Sequence, residues 1–166
     1  MIVSLKEFLR TGDLGPVRLG MREDEVFALF GSPNDKGLTS RRRKKPCLWL
    51  YGDIELIFDR EAWTLRMVNC EFHEPGPPRG GPGIELDPWI IVRRLSPVHF
   101  QEECRRERIP LLTLDSVNEG AVEFSVGPGV HLIFAPDVGD SDQPGSIGLC
   151  HMTYSTCLAG RIMRNA

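Results

Sequence analysis

Two short helices are predicted near the N-terminus from the spacing of apolar residues. Leu5, Phe8 and Leu9 recur at the spacing of one helix face. Ser4 precedes them, where its side chain can accept a hydrogen bond from an early helix amide. A second helix is predicted over residues 22–30, because acidic residues fill its first turn, where the helix dipole favours negative charge.

Alternating apolar positions then predict three strands. The first two cover residues 47–51 and 54–59, and a Gly-Asp dipeptide between them is a two-residue hairpin signal. A third strand is predicted within residues 64–72. The following residues 74–83 read Glu-Pro-Gly-Pro-Pro-Arg-Gly-Gly-Pro-Gly, which cannot hold a regular helix or a central strand. This segment is therefore predicted to be a linker.

The second half of the chain repeats this plan. Ser96 followed by Pro97 predicts the start of a helix that runs to about residue 108. A polar loop is predicted over residues 137–145, between the last two strands. The strands predicted in this half cover residues 111–114, 121–126, 130–135 and 147–154.

An internal repeat connects the two halves. The pentapeptide Ile-Glu-Leu-Ile-Phe at 54–58 reappears as Val-His-Leu-Ile-Phe at 130–134. The same shift carries the predicted helix at 22–30 onto 98–106, inside the helix of the second half. Agreement in both pattern and spacing predicts a duplication. The alternative is a chance similarity between two hairpins.

The predicted fold class is α+β, with two helix-plus-antiparallel-sheet repeats that form one layered structure. The helices are expected to cover one face of the sheet. The first repeat is predicted at residues 1–73, the Pro/Gly-rich linker at 74–83 and the second repeat at 84–166.

A sequence signature in the first half resembles that of a known group of proteins. Residues 19–26 read Leu-Gly-Met-Arg-Glu-Asp-Glu-Val, and residues 29–33 read Leu-Phe-Gly-Ser-Pro. This pattern is similar to the Gly-Met…Val…Leu-Gly-x-Pro signature of the SmpA/BamE lipoproteins and the β-lactamase inhibitory proteins. Trp-Leu-Tyr-Gly at 49–52 resembles the aromatic first strand that follows in those families.

The resemblance covers residues 17–58 and has implications for fold and function. It implies a tandem repeat whose helices pack on one face of a sheet, and whose concave opposite face binds another protein. Arg22 stands where those families often have Ser or Thr, and the second half lacks the Gly-Met and Leu-Gly-x-Pro elements.

Strand alternation assigns the apolar and mixed positions to two sheet faces. On this prediction, the helix-covered face of the first half holds Leu48, Leu50, Ile54, Leu56 and Phe58. The opposite face combines aromatic and charged residues, as a partner surface needs. The candidate partner-binding residues on this face are Trp49, Tyr51, Glu55, Glu123, Ser125 and His131. The alternative for Trp49 and Tyr51 is that they fill the rim of the core.

Composition and charge restrict the kinds of partner. Hydrophobic residues make up 41% and charged residues 26% of the chain, ordinary values for a folded soluble protein. A net charge of −3 argues against a nucleic-acid partner. The sequence contains no apolar stretch long enough to span a bilayer. Its N-terminus lacks the features of a signal peptide, so a cytoplasmic protein without a membrane partner is expected.

A basic run precedes the first strand of the hairpin. Such a run can attract phosphate or an acidic protein, and the alternative is a solvated loop. The run consists of Arg41, Arg42, Arg43, Lys44 and Lys45.

The sequence supplies no motif for catalysis or metal binding. Cys70 and His73 are three residues apart and would point to opposite faces of a strand, and the five cysteines lack paired zinc spacing. The chain contains no nucleophile elbow, phosphate-binding loop or metalloprotease helix. We therefore expect neither a cofactor, nor a metal, nor an enzymatic activity.

Three functional hypotheses follow from these patterns. The first is a bacterial-type protein-binding module, an inhibitor or immunity-type protein that uses the open face of its sheet. The second is an enzyme or small-molecule-binding domain with a pocket between the repeats, around His131, Cys150 and His151. The third is a structural subunit that forms a homodimer through the same sheet face.

Overall fold

The structure is a computed structural model that describes residues 1–37, 46–71, 76–92, 94–115, 120–136 and 147–155. In these parts of the chain the fold is α+β, with three helices, an eight-stranded antiparallel sheet and a two-stranded parallel sheet. The helices are α1 (Leu5–Thr11), α2 (Glu23–Phe30) and α3 (Pro97–Arg106). The strands are β1 (Ile2–Ser4), β2 (Asp35–Gly37), β3 (Leu48–Tyr51), β4 (Ile54–Phe58), β5 (Leu65–Glu71), β6 (Glu85–Asp87), β7 (Leu111–Leu114), β8 (Val122–Val126), β9 (Val130–Pro136) and β10 (Ile147–Ser155).

The helix boundaries follow local capping chemistry, with one difference from the sequence prediction. Ser96 Oγ accepts from the His99 amide at 3.2 Å at the start of α3, as predicted. Ser4 occupies the N-cap position of α1, but its side chain makes no cap hydrogen bond. Its hydroxyl donates to Asp87 Oδ2 at 3.1 Å instead, because β1 pairs with β6 and brings the two residues together.

The strand order of the large sheet is β2-β3-β4-β5-β10-β9-β8-β7. Each half runs in chain order from an edge strand to the centre, where β5 and β10 pair antiparallel. A small parallel sheet of β1 and β6 connects the N-terminus to the start of the second half. This order is the one that two similar units would produce, and the duplication itself stays a prediction.

The helices pack on one face of the large sheet through aromatic contacts. Phe8 of α1 packs edge-on against Tyr154 of β10, with ring centroids 6.3 Å apart. Phe30 of α2 contacts Tyr51 at 5.5 Å, and Phe100 of α3 contacts Phe134 at 5.6 Å. These rings are buried except for that of Tyr154, which is partly exposed. Burial of one such side chain stabilises a fold by roughly 1.5–3 kcal/mol. The core therefore lies between the helices and this sheet face.

The register of the β3–β4 hairpin corrects the predicted face of two aromatic residues. The two-residue turn pairs Tyr51 with Ile54 and Trp49 with Leu56, so odd-numbered positions of β3 share a face with even-numbered positions of β4. Trp49 and Tyr51 therefore lie in the core, with 4% and 0% of their surface exposed. Their predicted place on the opposite face is wrong.

The same register moves two leucines in the other direction. Leu48 pairs with Ile57 and Leu50 with Glu55, so both leucines lie on the face away from the helices. Their predicted place on the helix-covered face is wrong. We call the face away from the helices the open face.

The second hairpin has the face assignment that the sequence predicts. A three-residue turn joins β8 to β9 and pairs Val126 with Val130, which keeps even-numbered positions together. Phe124, Leu132 and Phe134 are buried under the helices.

The described part of the predicted linker, residues 76–83, docks against the β3–β4 turn. The Asp53 amide donates to the Arg79 carbonyl at 2.9 Å, and the Arg79 amide donates to Asp53 Oδ2 at 2.7 Å. Gly52, at the adjoining turn position, has φ +63, and a Cβ there would lie 2.3 Å from the Arg79 carbonyl oxygen. Glycine is therefore required at this close approach of two backbones. Among the described residues, no helix is long and apolar enough to cross a membrane.

Candidate functional site

A row of directly paired residues crosses the open face of the sheet. Each member is opposite the next on the neighbouring strand, so all share one face. From one edge to the other the row contains Asp35, Leu50, Glu55, Asn69, Thr153, His131, Ser125 and Leu112. We call the five polar residues in its middle, from Glu55 to Ser125 in this order, the polar row.

Apolar side chains flank the polar row on both sides. Residues two positions away along a strand lie on the same face. This places Leu48, Ile57 and Met67 along one side, and Ile133 and Leu114 along the other. These side chains are partly buried. One side of the polar row is therefore aliphatic across β3, β4 and β5, and the other side combines Ile133 and Leu114 with Glu71 and Glu123.

Asn69 on β5 has a fixed amide orientation. Its Nδ2 donates to Glu55 Oε2 at 2.9 Å. A carboxylate only accepts, so the other end of the amide is the carbonyl oxygen. Asn69 is only 5% exposed, and its Oδ1 is buried without a hydrogen-bond partner among the described residues. This atom is a buried acceptor that points away from Glu55.

His131 on β9 forms a matching pair with Glu123 on β8. Its Nδ1 lies 2.8 Å from Glu123 Oε1. Because the carboxylate accepts, Nδ1 carries a proton, and Nε2 is an acceptor in the tautomer that has no second ring proton. His131 is 8% exposed, and its Nε2 too is buried without a partner in the described part of the chain.

Thr153 on β10 lies between these two residues and pairs with both. Its hydroxyl donates to the Val68 carbonyl at 3.3 Å. Two strand spacings of roughly 4.8 Å separate the backbones of Asn69 and His131. Asn69 and His131 therefore lie on the open face on either side of Thr153.

Four of the six candidate residues from the sequence come together here. Glu55, Ser125 and His131 belong to the polar row, and Glu123 holds the His131 ring. The two core aromatic residues, Trp49 and Tyr51, do not contribute to this face. Trp49 instead contacts the Lys36 ammonium, whose Nζ lies 4.1 Å from the indole centroid, so its ring has a structural partner.

Sequence reasoning missed Asn69 and Thr153. Asn69 stands in a strand of mostly apolar residues, although asparagine is uncommon in strands. Its presence there is the sequence signal that indicates a special role. Thr153 gave no signal, because threonine is common in strands. Their place beside His131 depends on the pairing of β5 with β10, which local patterns do not reveal.

Other predicted site residues lie outside the described residues. This holds for the basic run of Arg41, Arg42, Arg43, Lys44 and Lys45, and for the side chains of Cys150 and His151.

The described thiols are poor nucleophiles. Burial raises the pKa of Cys70 to about 12 and the pKa of Cys104 to about 12, so both remain protonated near neutral pH. Cys47 is buried as well. No group of three His, Cys, Asp or Glu side chains in the described residues could hold a metal ion.

A separate cleft of about 360 Å³ lies at the start of α2. It is lined by Arg22, Glu23, Asp24, Ala62 and Trp63, all from the first half of the chain. Arg22 Nε donates to Asp24 Oδ1 at 3.0 Å and lowers the pKa of this exposed carboxyl. The cleft thus differs from the pocket between repeats that the second hypothesis requires.

Comparisons with known proteins return no match. The chain fits no protein-family model, and neither curated proteins nor solved structures match it.

Proposed function

We propose that this chain is a protein-binding module that contacts its partner through the open face of the large sheet. The observation that carries the proposal is that two polar atoms of the polar row, Asn69 Oδ1 and His131 Nε2, are buried without a hydrogen-bond partner among the described residues. Buried polar atoms in folded proteins nearly always have a partner.

The apolar part of the open face provides contact area. Leu112 at one edge is 57% exposed, and Leu48, Leu50 and Ile57 are partly exposed on the other half. Leu48, Leu50 and Ile57 are neighbours on β3 and β4, and an exposed apolar cluster of this kind is characteristic of an interaction site.

The charge of the open face favours a basic partner. Asp35, Glu55, Glu71 and Glu123 occupy paired positions on this face. None of the paired open-face positions in the described sheet is a lysine or arginine. Complementary charge steers association and excludes wrong partners. The same carboxylates would repel each other across two copies of the face, which disfavours the homodimer hypothesis.

The resemblance to the β-lactamase inhibitory proteins supports the same surface. Those proteins bind their partner through the concave sheet face, so we propose the role of an inhibitor or immunity-type protein in the cytoplasm. This part of the proposal rests on the resemblance of residues 17–58 alone.

The test is capture of a partner from a lysate of the source organism with matched surface variants. Leu112→Asp places a charge on the open face, and Val98→Asp places one on α3, where Val98 is 63% exposed. Both sites are exposed aliphatic positions, so both variants should fold. We expect the wild type and Val98→Asp to retain one stoichiometric protein that Leu112→Asp loses.

Two results would contradict the open-face proposal. One is retention of the same protein by Leu112→Asp and by a second face variant, Ile57→Ser. The other is loss of the protein with Val98→Asp alone, which would place the interface on the helix side. Circular dichroism of all variants confirms that a loss of binding is not a loss of fold.

A further inference from the structure

We propose that an arginine side chain of the partner protein enters the polar row and donates hydrogen bonds to both Asn69 Oδ1 and His131 Nε2. This inference rests on the proposed open-face interaction and names the chemistry at its centre. It begins from two acceptors that are buried and unpartnered within the described residues, on strands that both flank β10.

The orientation of the two acceptors points to a shared ligand group. Glu55 on β4 holds the amide nitrogen of Asn69, which turns Oδ1 toward β10. Glu123 on β8 holds Nδ1 of His131, and the two ring nitrogens of an imidazole point in nearly opposite directions. Nε2 is thereby turned away from β8, to the side where Asn69 lies. This arrangement would direct both atoms toward Thr153, which lies between the two residues.

The electrostatics of the polar row select a cation. Asn69 Oδ1 accepts hydrogen bonds, and His131 Nε2 accepts them in the tautomer with its only ring proton on Nδ1, so an occupant bound to both atoms would donate at two points. The two carboxylates that orient them, Glu55 and Glu123, are partly buried and carry negative charge next to the site. Hydrogen bonds from a positively charged donor are stronger than those from a neutral donor. A cation is therefore the favoured occupant of the polar row.

A guanidinium group meets these requirements better than an ammonium group. It is planar and presents donors in a fixed fork, so it can bridge two separated acceptors, whereas an ammonium is a compact point charge. The aliphatic stem of arginine can pack on Met67, two positions from Asn69 on the same face of β5. The unbranched Met67 side chain can adjust its rotamers to admit the stem.

The direct test is a nuclear magnetic resonance titration with N-acetyl-arginine N-methylamide. The matched probe is the citrulline compound, which has the same shape and no charge. We expect saturable shifts of the Asn69 side-chain amide and the His131 ring with the arginine compound, and at least tenfold weaker binding of the citrulline compound. Equal shifts with both compounds, or no saturable shift at these residues, would overturn the proposal.

Charge variants of the full chain supply the control. Glu123→Gln removes one carboxylate at the site, and we expect it to weaken binding of the arginine compound at least fivefold. Glu85→Gln removes an exposed carboxylate on β6 and should leave binding unchanged. An equal loss in both variants would show attraction by net charge alone and would also overturn the proposal.

Partner capture separates this inference from the proposed function. If Asn69→Leu retains the protein that Leu112→Asp loses, the open face is the interface and the arginine contact is wrong. If Asn69→Leu and Leu112→Asp both lose it while Val98→Asp retains it, the polar row lies inside the interface as proposed.

Discussion

Asn69 and His131 are single residues of this sheet that carry a cost in stability. Each makes one good hydrogen bond to a carboxylate and leaves a second polar atom buried without a partner in the described residues. An unsatisfied buried group costs about 1–3 kcal/mol. Residues retained for binding commonly reduce stability in this way.

Replacing Asn69 by leucine should therefore stabilise the isolated protein. Asn69→Leu removes the buried Oδ1 and adds apolar burial. These two gains in stability exceed the loss of the hydrogen bond to Glu55. We therefore expect the free energy of unfolding to rise by about 1 kcal/mol. Urea unfolding measures the change. Asn34→Leu is the control, because Asn34 Oδ1 accepts from the Gly52 amide at 2.7 Å and its loss should destabilise. A lower stability for Asn69→Leu than for the wild type would contradict this prediction.

Buried ionisable residues give the fold an alkaline limit. Burial raises the pKa of Cys70 from 9.0 to about 12 and that of Tyr51 from 10.0 to about 12. The folded state thus holds these protons more tightly than the unfolded state, so the stabilisation is complete below pH 9 and is lost as the pH rises toward 12. We expect the free energy of unfolding to fall steadily between pH 9 and pH 11.

Urea unfolding at a series of alkaline pH values checks this slope. Cys70→Ala, which lacks one of the titrating groups, should show a shallower fall than the wild type even though it is less stable at pH 7. Identical slopes for the two proteins would show that the Cys70 thiol does not carry the effect.

At the scale of elements, the β3–β4 hairpin shows both the strength and the limit of sequence reasoning. The sequence predicts the hairpin correctly from its alternation and its Gly-Asp turn. Alternation within each strand alone predicts the wrong faces for β3, because the two-residue turn pairs Tyr51 with Ile54. A one-position error of this kind moves every side chain of a strand to the other face. The three-residue turn before Val130 causes no such shift, so the second half was assigned correctly.

The β3–β4 turn also leads to a prediction about the stability effect of replacing its glycine, Gly52. Gly52→Ala places a Cβ against the Arg79 carbonyl oxygen in a left-handed conformation, so we expect a loss of roughly 2–4 kcal/mol. Gly20 has φ +88 with nothing within 4 Å of an added Cβ, so Gly20→Ala should cost only about 1 kcal/mol. Thermal and urea unfolding of both variants measure the difference. Equal losses would show that the contact with the linker does not restrict this turn.

At the scale of the whole molecule, the two halves depend on each other. α1 lies in the first half, yet Phe8 packs against Tyr154, and Lys6 Nζ pairs with Glu107 Oε2 at 2.6 Å. Arg10 Nη2 also donates to the Glu107 carbonyl at 2.9 Å. The sequence predicts two repeats but not these contacts, because the pairing of β5 with β10 depends on tertiary packing between residues far apart in the chain.

Separate halves should therefore not fold. A fragment of residues 1–83 loses the partner strands of β1 and β5 and the packing surface of Phe8, so we expect it to show no cooperative unfolding by circular dichroism. Mixing it with residues 84–166 should restore the spectrum of the intact chain. Cooperative unfolding of the first fragment alone would show that one repeat is an independent domain.

The two edge strands of the sheet differ in how readily a strand of another molecule could pair with them. β2 is three residues long and includes Asp35 and Lys36, and short, charged edges resist the addition of a foreign strand. β7 ends the described sheet on the other side with Leu-Leu-Thr-Leu, an apolar edge without a charged residue. Aggregation at high concentration would start at β7, so a lysine at Thr113 is the substitution that would protect a concentrated sample without altering the open face.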